Sequence, residues 1–265
     1  MTEFRADLHI HSHCSDGTDP PLAILDLAKA AGLSGLSITD HDTFQAYTPE
    51  FYAKAEELGL QLLIGTEIST EWKGDPVHIL AYHFQPELQS FLDQVVERRK
   101  NRNRKILQHL RDQGIDIAEE DLPALHIAGR PHIAQILIQR GLVSSIQEAF
   151  DRYLNDELVR FSAGGKFTPQ EGVDAIHRAS GKAVIAHPHL LKKRMLIKEM
   201  LELPFDGLEC HYGRRLPYQE REWLEMAKRR HLIATGGSDY HGAIRSSPIG
   251  CSWVREEIFR QLKSN

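Results

Sequence analysis

Along the chain, short stretches of alternating apolar and polar residues are followed by longer stretches with helical spacing, and the alternation repeats. In Asp7-Leu8-His9-Ile10-His11, Leu8 and Ile10 alternate with polar residues, so a β-strand would place His9 and His11 on one face. Pro20-Pro21 then opens a helix whose Leu22, Leu25, Ala28 and Lys29 keep helical spacing up to Gly32. Residues 36–42 read as a strand and 49–58 as a helix closed by Gly59. A strand over 60–64 would deliver Glu67, and a strand over 77–83 would carry His78 at its start.

The rhythm changes near Pro86. Leu88, Phe91, Leu92, Val95, Ile106, Leu107 and Leu110 keep a helical stripe, followed by helices over 133–139, ended by Gly141, and over 146–154. No strand pattern appears between 86 and 165. The earlier rhythm resumes with a helix over 169–180, a strand over 182–189 and a helix near 192–201. A strand over 207–211, a helix over 217–230 and a strand over 231–235 complete it. Polar residues gather at strand ends, as in an α/β barrel or a related layered fold. The expectation is a barrel domain made of residues 1–90 and 165–265, with a small helical insertion over 91–164. The joints near Pro86 and Gly164-Gly165 would be its exposed points.

Composition narrows the class. A length of 265 residues suits a barrel with an insertion, and 41% hydrophobic residues supply a sizeable core. A formal charge of -5 argues against a general electrostatic grip on nucleic acid but leaves room for a local basic or metal-charged pocket. No stable DNA partner is expected. Three cysteines without a CxxC point to a reducing compartment, and no apolar run is long enough to span a membrane. A cytoplasmic protein is the expectation.

The 15 histidines exceed what packing requires. Collected from successive strand ends, the polar residues are His9, His11, Asp16, His41, Glu67, His78, His187, Asp239 and His241. Imidazoles and carboxylates without a thiolate suit Mn²⁺, Zn²⁺ or Fe²⁺ and disfavour a cysteine-type structural zinc site. The set is too large for one ion and about right for three, each with positions open for water and substrate. Three divalent ions against three carboxylates leave roughly +3, which a phosphate dianion and a hydroxide would neutralise. Clustered ions of this kind promote in-line displacement at phosphorus. Any one of these histidines alone would be read as a hydrogen-bonded strand-end residue; the joint placement is what points to metal. His83, His109, His126, His177 and His231 lack it, and His13, His189 and His211 are intermediate. Asp40 and Asp42 flank His41, where either could orient a ligand or cap a helix, Asp40 being the better candidate to orient.

The motifs Asp7-Leu8-His9-Ile10-His11-Ser12, Ser15-Asp16-Gly17, Thr39-Asp40-His41-Asp42, Gly65-Thr66-Glu67, Ala186-His187-Pro188 and Gly237-Ser238-Asp239-Tyr240-His241 resemble the PHP (polymerase and histidinol phosphatase) superfamily of metal-dependent phosphoesterases. The resemblance covers nearly the whole chain, with the motifs in order. It implies a distorted (β/α)7 barrel and three divalent ions, Mn²⁺ first with Zn²⁺ or Fe²⁺ as alternatives. By the same resemblance His9, His11, Glu67 and Asp239 bind one ion, Glu67, His78 and His187 a second, and Asp16, His41 and His241 a third. Asp16, His41 and His241 are also the expected catalytic residues.

Within the superfamily, Gly129-Arg130-Pro131-His132-Ile133-Ala134 and the helical insertion resemble the small stand-alone branch. That resemblance implies hydrolysis of the 3′-phosphate of nucleoside 3′,5′-bisphosphates by a metal-bound hydroxide, or 5′-3′ trimming of short 5′-phosphorylated RNAs. Arg130 and His132 would form a substrate phosphate clamp, a guanidinium fork plus an imidazole beside a helix N-terminus. The lesser alternative is that Arg130 caps a neighbouring helix and His132 packs. The run Arg98-Arg99-Lys100-Asn101-Arg102-Asn103-Arg104-Lys105 is either a solvated helix face or a source of arginines for an anionic substrate. Histidinol-phosphate hydrolysis and a metal-binding module without turnover are the remaining readings.

Overall fold

The strand that opens the chain is buried along its whole length, as a strand covered on both faces must be. This is β1, Ala6–Ile10, in a computed structural model that describes residues 3–122, 128–154, 167–191 and 193–264. β1 pairs in parallel with β2 (Gly35–Ile38), and β2 with the two-residue β3 (Gln61–Leu62). Helix α1 (Pro21–Ala30) connects the first two strands and α2 (Pro49–Glu57) the next. Thr48 caps α2 by accepting from the Phe51 N–H, and Pro49 sits where a missing N–H costs nothing. Ile24, Leu25 and Phe51 of these helices pack on Ile10, Leu36 and Ile38.

A second sheet has the order β4-β5-β6-β7-β8, with β4 Gly65–Trp72, β5 Asp75–Tyr82, β6 Lys182–Ile185, β7 Gly207–Tyr212 and β8 Ile233–Gly237. β5 runs antiparallel to both of its neighbours, β4 and β6, and β6, β7 and β8 run parallel. Single bridges join the two sheets at both ends, Ile10 to Tyr240 and His41 to Glu67. The strand order therefore returns to β1, which makes the distorted barrel that the motifs implied. Tyr82 lies inside it, wholly buried, its hydroxyl donating to Leu8 O at 2.8 Å.

Three expectations need correction. The strand expected over 60–64 breaks after Leu62, and Glu67 belongs to the separate β4. The strand carrying His78 is the return arm of an antiparallel hairpin, so His78 lies inside it and not at its start. The turn is Lys73-Gly74, both with positive φ (51° and 84°), the conformation that lets a two-residue loop follow the strand twist. The strand expected to run through His189 stops at Ile185, and His187 and His189 lie beyond it.

The chain divides into two compact units, Met1–Leu92 with Phe167–Asn265, and Asp93–Lys166. Helix α3 (Gln89–Asp112) leads into the second unit, where α4 (Arg130–Gln139) and α5 (Ile146–Ala149) follow, the last continued by a π-helical turn over Phe150–Leu154. Ile106, Leu110, Ile133, Leu137 and Leu154 form a core of this unit's own. Among the described residues between 86 and 165 there is no strand. His126 and Gly164-Gly165 lie outside the described residues. Back in the first unit, α6 (Pro169–Arg178) starts with a reciprocal Thr168–Glu171 capping box. Helices α7 (Arg194–Met200) and α8 (Pro217–Arg230) connect β6, β7 and β8. The terminal α9 (Glu256–Lys263) escaped the sequence reading, although Ile258, Phe259 and Leu262 keep helical spacing. Phe259 and Leu262 are fully buried beside Leu8 and Val254. Among the described residues no helix is long and apolar enough to cross a membrane.

Candidate metal centre

The residues that converge come from β1, β2, β4, β5, β6 and β8 or the turns just beyond them. His9 and His11 approach each other through their Nε2 atoms, 3.1 Å apart and fully buried. His9 Nε2 lies 3.4 Å from Glu67 Oε2 and from Asp239 Oδ1, and His11 Nε2 lies 3.1 Å and 3.3 Å from the same two oxygens. Asp16 stands over the turn after β1, with Oδ1 3.3 Å from both His11 Nδ1 and His241 Nε2, and Oδ2 3.7 Å from His41 Nε2.

Glu67 divides its carboxylate. Oε1 faces His78 Nδ1 at 2.9 Å and His187 Nε2 at 2.8 Å, while Oε2 faces His9, His11 and, at 3.3 Å, His41 Nδ1. The hairpin explains how His78 arrives there. Glu67 pairs with Leu80 and Ser69 with His78, so Glu67 and His78 are diagonal neighbours on one face of the sheet.

The donor chemistry fits divalent ions. Among the described residues, four groups have ligand atoms within 4.8 Å of one another: His9 with His11 and Glu67, His11 with Asp16 and His41, His11 with Asp239 and His241, and His41 with Glu67 and His78. His41 Nδ1 and His241 Nε2 are buried without a hydrogen bond even though carboxylate oxygens lie 3.3 Å away. Buried polar atoms left so are costly, and a shared cation removes that cost. Burial raises the carboxyls of Asp16, Glu67 and Asp239, but the surrounding imidazoles outweigh it and hold all three well below the usual carboxylate range. Burial also pushes His41 down to about 3, whereas for His9, His11 and His187 the surrounding carboxylates outweigh burial and raise all three.

Sequence reasoning missed the groups that hold this set in place. Glu209, in the middle of β7, accepts from His9 Nδ1 at 2.8 Å and from the His187 backbone N–H at 2.6 Å. A carboxylate embedded in an apolar strand is seldom buried unless paired, which was the available signal. Asp239 sits at φ 51° and His187 at φ 26°, both in the left-handed region that non-glycine residues enter at a cost. Tyr212 donates to Asp239 Oδ2 at 2.5 Å, and Arg245 pairs with the same oxygen, which leaves Oδ1 toward His9 and His11. His241 Nδ1 lies 2.9 Å from Asp239 O, an arrangement that directs Nε2 inward.

The flanking acids act on backbone. Asp40 accepts from Ser12 N and from the Ser12 and Ser15 hydroxyls, fixing the turn between His11 and Asp16, and Asp42 accepts from Ser69 N. His211 pairs with Glu220 at 2.7 Å, His13 is exposed, and His189 stands edge-on to Tyr212 with ring centres 4.3 Å apart. In the second unit, Arg130 Nη1 donates to Leu154 O at 3.2 Å and its guanidinium covers the Phe150 ring. His132 Nδ1 accepts from Gly129 N at 3.0 Å. In the same unit Arg104 pairs with Glu119 on the helix surface.

Residues 7–158 match the PHP domain family. The chain is 32% identical to the 5′-3′ exoribonuclease Rnm of Escherichia coli (strain K12), with 97% of this chain and 88% of the relative covered. It is 30% identical to a 3′,5′-nucleoside bisphosphate phosphatase of Chromobacterium violaceum, covering 89% of this chain and 86% of the relative. Its fold superposes, with a TM-score of 0.83 and 29% identity, on a Bifidobacterium adolescentis protein described as a metal-dependent phosphoesterase. That superposition covers 97% of this chain and 94% of the other.

Proposed function

Because the chain belongs to the PHP domain family, we propose that its buried histidine and carboxylate cluster hydrolyses a phosphate ester of a nucleotide with the help of three divalent ions. His9, His11, Glu67 and Asp239 would hold one ion, Glu67, His78 and His187 a second, and Asp16, His41 and His241 a third. The observation that carries this reading is the divided carboxylate of Glu67, whose two oxygens face two different groups of imidazoles. His41 and His11 each belong to more than one close group, so this partition is part of the proposal. Mn²⁺ is the first choice, with Zn²⁺ or Fe²⁺ also matching nitrogen and oxygen donors.

Such ions supply positive charge to phosphate oxygens and lower the pKa of water. The protein's part is to orient. Glu209 holds the His9 ring with Nδ1 occupied and Nε2 turned inward, and Asp40 holds the turn that brings Asp16 over the cluster. Asp16, His41 and His241 are the catalytic group, lying where Asp16 faces both imidazoles.

The substrate reading is a nucleoside 3′,5′-bisphosphate losing its 3′-phosphate, with the 5′-phosphate held by Arg130 and His132 of the 91–164 insertion. The second reading, 5′-3′ hydrolysis of short 5′-phosphorylated RNA, is favoured by the 32% identity to an exoribonuclease over nearly the whole chain. The protein acts in the cytoplasm in either case. Product analysis with Mn²⁺ on adenosine 3′,5′-bisphosphate beside a 5′-phosphorylated short RNA separates the two. Release of phosphate from the first with no nucleotides from the second supports the bisphosphatase; the reverse supports the nuclease. Undiminished turnover in excess chelator would overturn both.

A further inference from the structure

Among the described residues eight large apolar side chains are exposed, and five of them, Leu190, Met195, Leu216, Tyr218 and Ile244, lie on the segments that follow β6, β7 and β8. These three strands are parallel neighbours, so the segments leave the sheet side by side at the end where His187, Tyr212 and Asp239 meet the metal centre. Exposed apolar side chains concentrated on three neighbouring segments, rather than scattered singly over the surface, point to a binding surface.

The same segments carry cations and rings. Arg214 is exposed in the turn after β7, and Tyr218, 68% exposed, stands in the first turn of α8 just beyond it. Arg215, beside Arg214, is half-buried and donates through Nη2 to Gln219 O at 3.4 Å. The Tyr212 ring, whose hydroxyl donates to Asp239, stands edge-on to those of His187 and His189, with ring centres 6.0 Å and 4.3 Å away. Flat apolar surface interleaved with arginine is the surface that single-stranded nucleic acid uses, bases stacking on rings and phosphates meeting guanidinium. The protein's overall charge of -5 makes this local basic stretch stand out, and it selects a polyanion over a second copy of this acidic chain.

We infer that the segments after β6, β7 and β8 form a track for a single-stranded oligoribonucleotide, with Tyr218 and Leu216 stacking bases beyond the nucleotide held at the metal centre. This rests on the phosphoesterase reading and extends its nuclease arm. A mononucleotide would end before the track, so the track's signature is a dependence of affinity on chain length.

The test uses the full chain carrying Asp16→Asn, with Mn²⁺, so that bound RNA is not consumed. Fluorescence anisotropy with 5′-phosphorylated RNAs of increasing length should show affinity rising about tenfold or more as bases reach the track. Adding Tyr218→Ala should remove most of that gain, and Tyr218→Trp should keep it. Equal affinity for short and long RNAs, or a length gain that Tyr218→Ala leaves intact, overturns the inference. So does a dimer in solution that Tyr218→Ala dissociates, since a second copy would then be the occupant. Hydrolysis of an aryl phosphate by the chain without Asp16→Asn reports on the metal centre separately, so a failed track and a failed phosphoesterase reading give different results.

Discussion

His9 Nδ1 and Glu209 Oε1 lie 2.8 Å apart with both side chains buried, although 200 residues separate them in the chain. Glu209 holds the His9 tautomer that leaves Nε2 free for an ion, and its other oxygen ties down the backbone of His187. One carboxylate therefore orients residues of two proposed metal positions.

Replacing Glu209 should loosen metal binding without removing a ligand. Glu209→Gln keeps one acceptor oxygen and should weaken metal affinity about tenfold, and Glu209→Ala should approach a hundredfold. Titration against a competing chelator reads both. Wild-type affinity in Glu209→Ala would show that His9 needs no such partner.

The cluster should arrive loaded. Protein purified without chelator should carry about two or more transition-metal equivalents per chain by elemental analysis. Asp16→Asn or His41→Ala should each lower that number and remove most turnover while circular dichroism stays unchanged. Near wild-type rates in either variant would contradict the ligand set proposed around Asp16.

Gly237 permits a close approach of β8 to β1. A Cβ there would stand 2.8 Å from His9 Cα and nearer still to His9 N and Cβ. Gly237→Ala should therefore push the two strands apart, destabilise the protein by about 2–3 kcal/mol and reduce metal content. Denaturant midpoints with and without metal measure the first effect, and an unshifted midpoint would mean the strands yield at no cost.

Arg130 is the residue on which the bisphosphate reading depends. If it holds a remote phosphate, Arg130→Ala removes a charge-assisted contact of about 1.5–3 kcal/mol. That is roughly ten- to hundredfold in kcat/KM on adenosine 3′,5′-bisphosphate, with little change on an aryl phosphate. Arg130 also donates to Leu154 O and covers Phe150, so an equal loss on both substrates would assign it to the fold.

The alternation of Leu8 and Ile10 with His9 and His11, and the acids and imidazoles at later strand ends, were enough to pick out the nine converging residues and an α/β barrel or related layered fold; the family resemblance narrowed that to the barrel. Periodicity reports which face of its own strand or helix a side chain takes, and that much is local. The direction in which a strand pairs is not local. His78 reaches Glu67 only because Lys73-Gly74 turns the chain back, a turn whose positive φ values the side-chain pattern does not announce. The role of Glu209 depends on β8 pairing with β7 and closing onto β1, and that of Arg245 and Tyr212 on two segments converging on one oxygen of Asp239. Sequence alone picked out the nine residues that converge, because donor type and strand parity are written residue by residue. Tertiary structure alone decided which groups aim them, because a buried hydrogen bond requires two distant segments to be brought within about 3 Å.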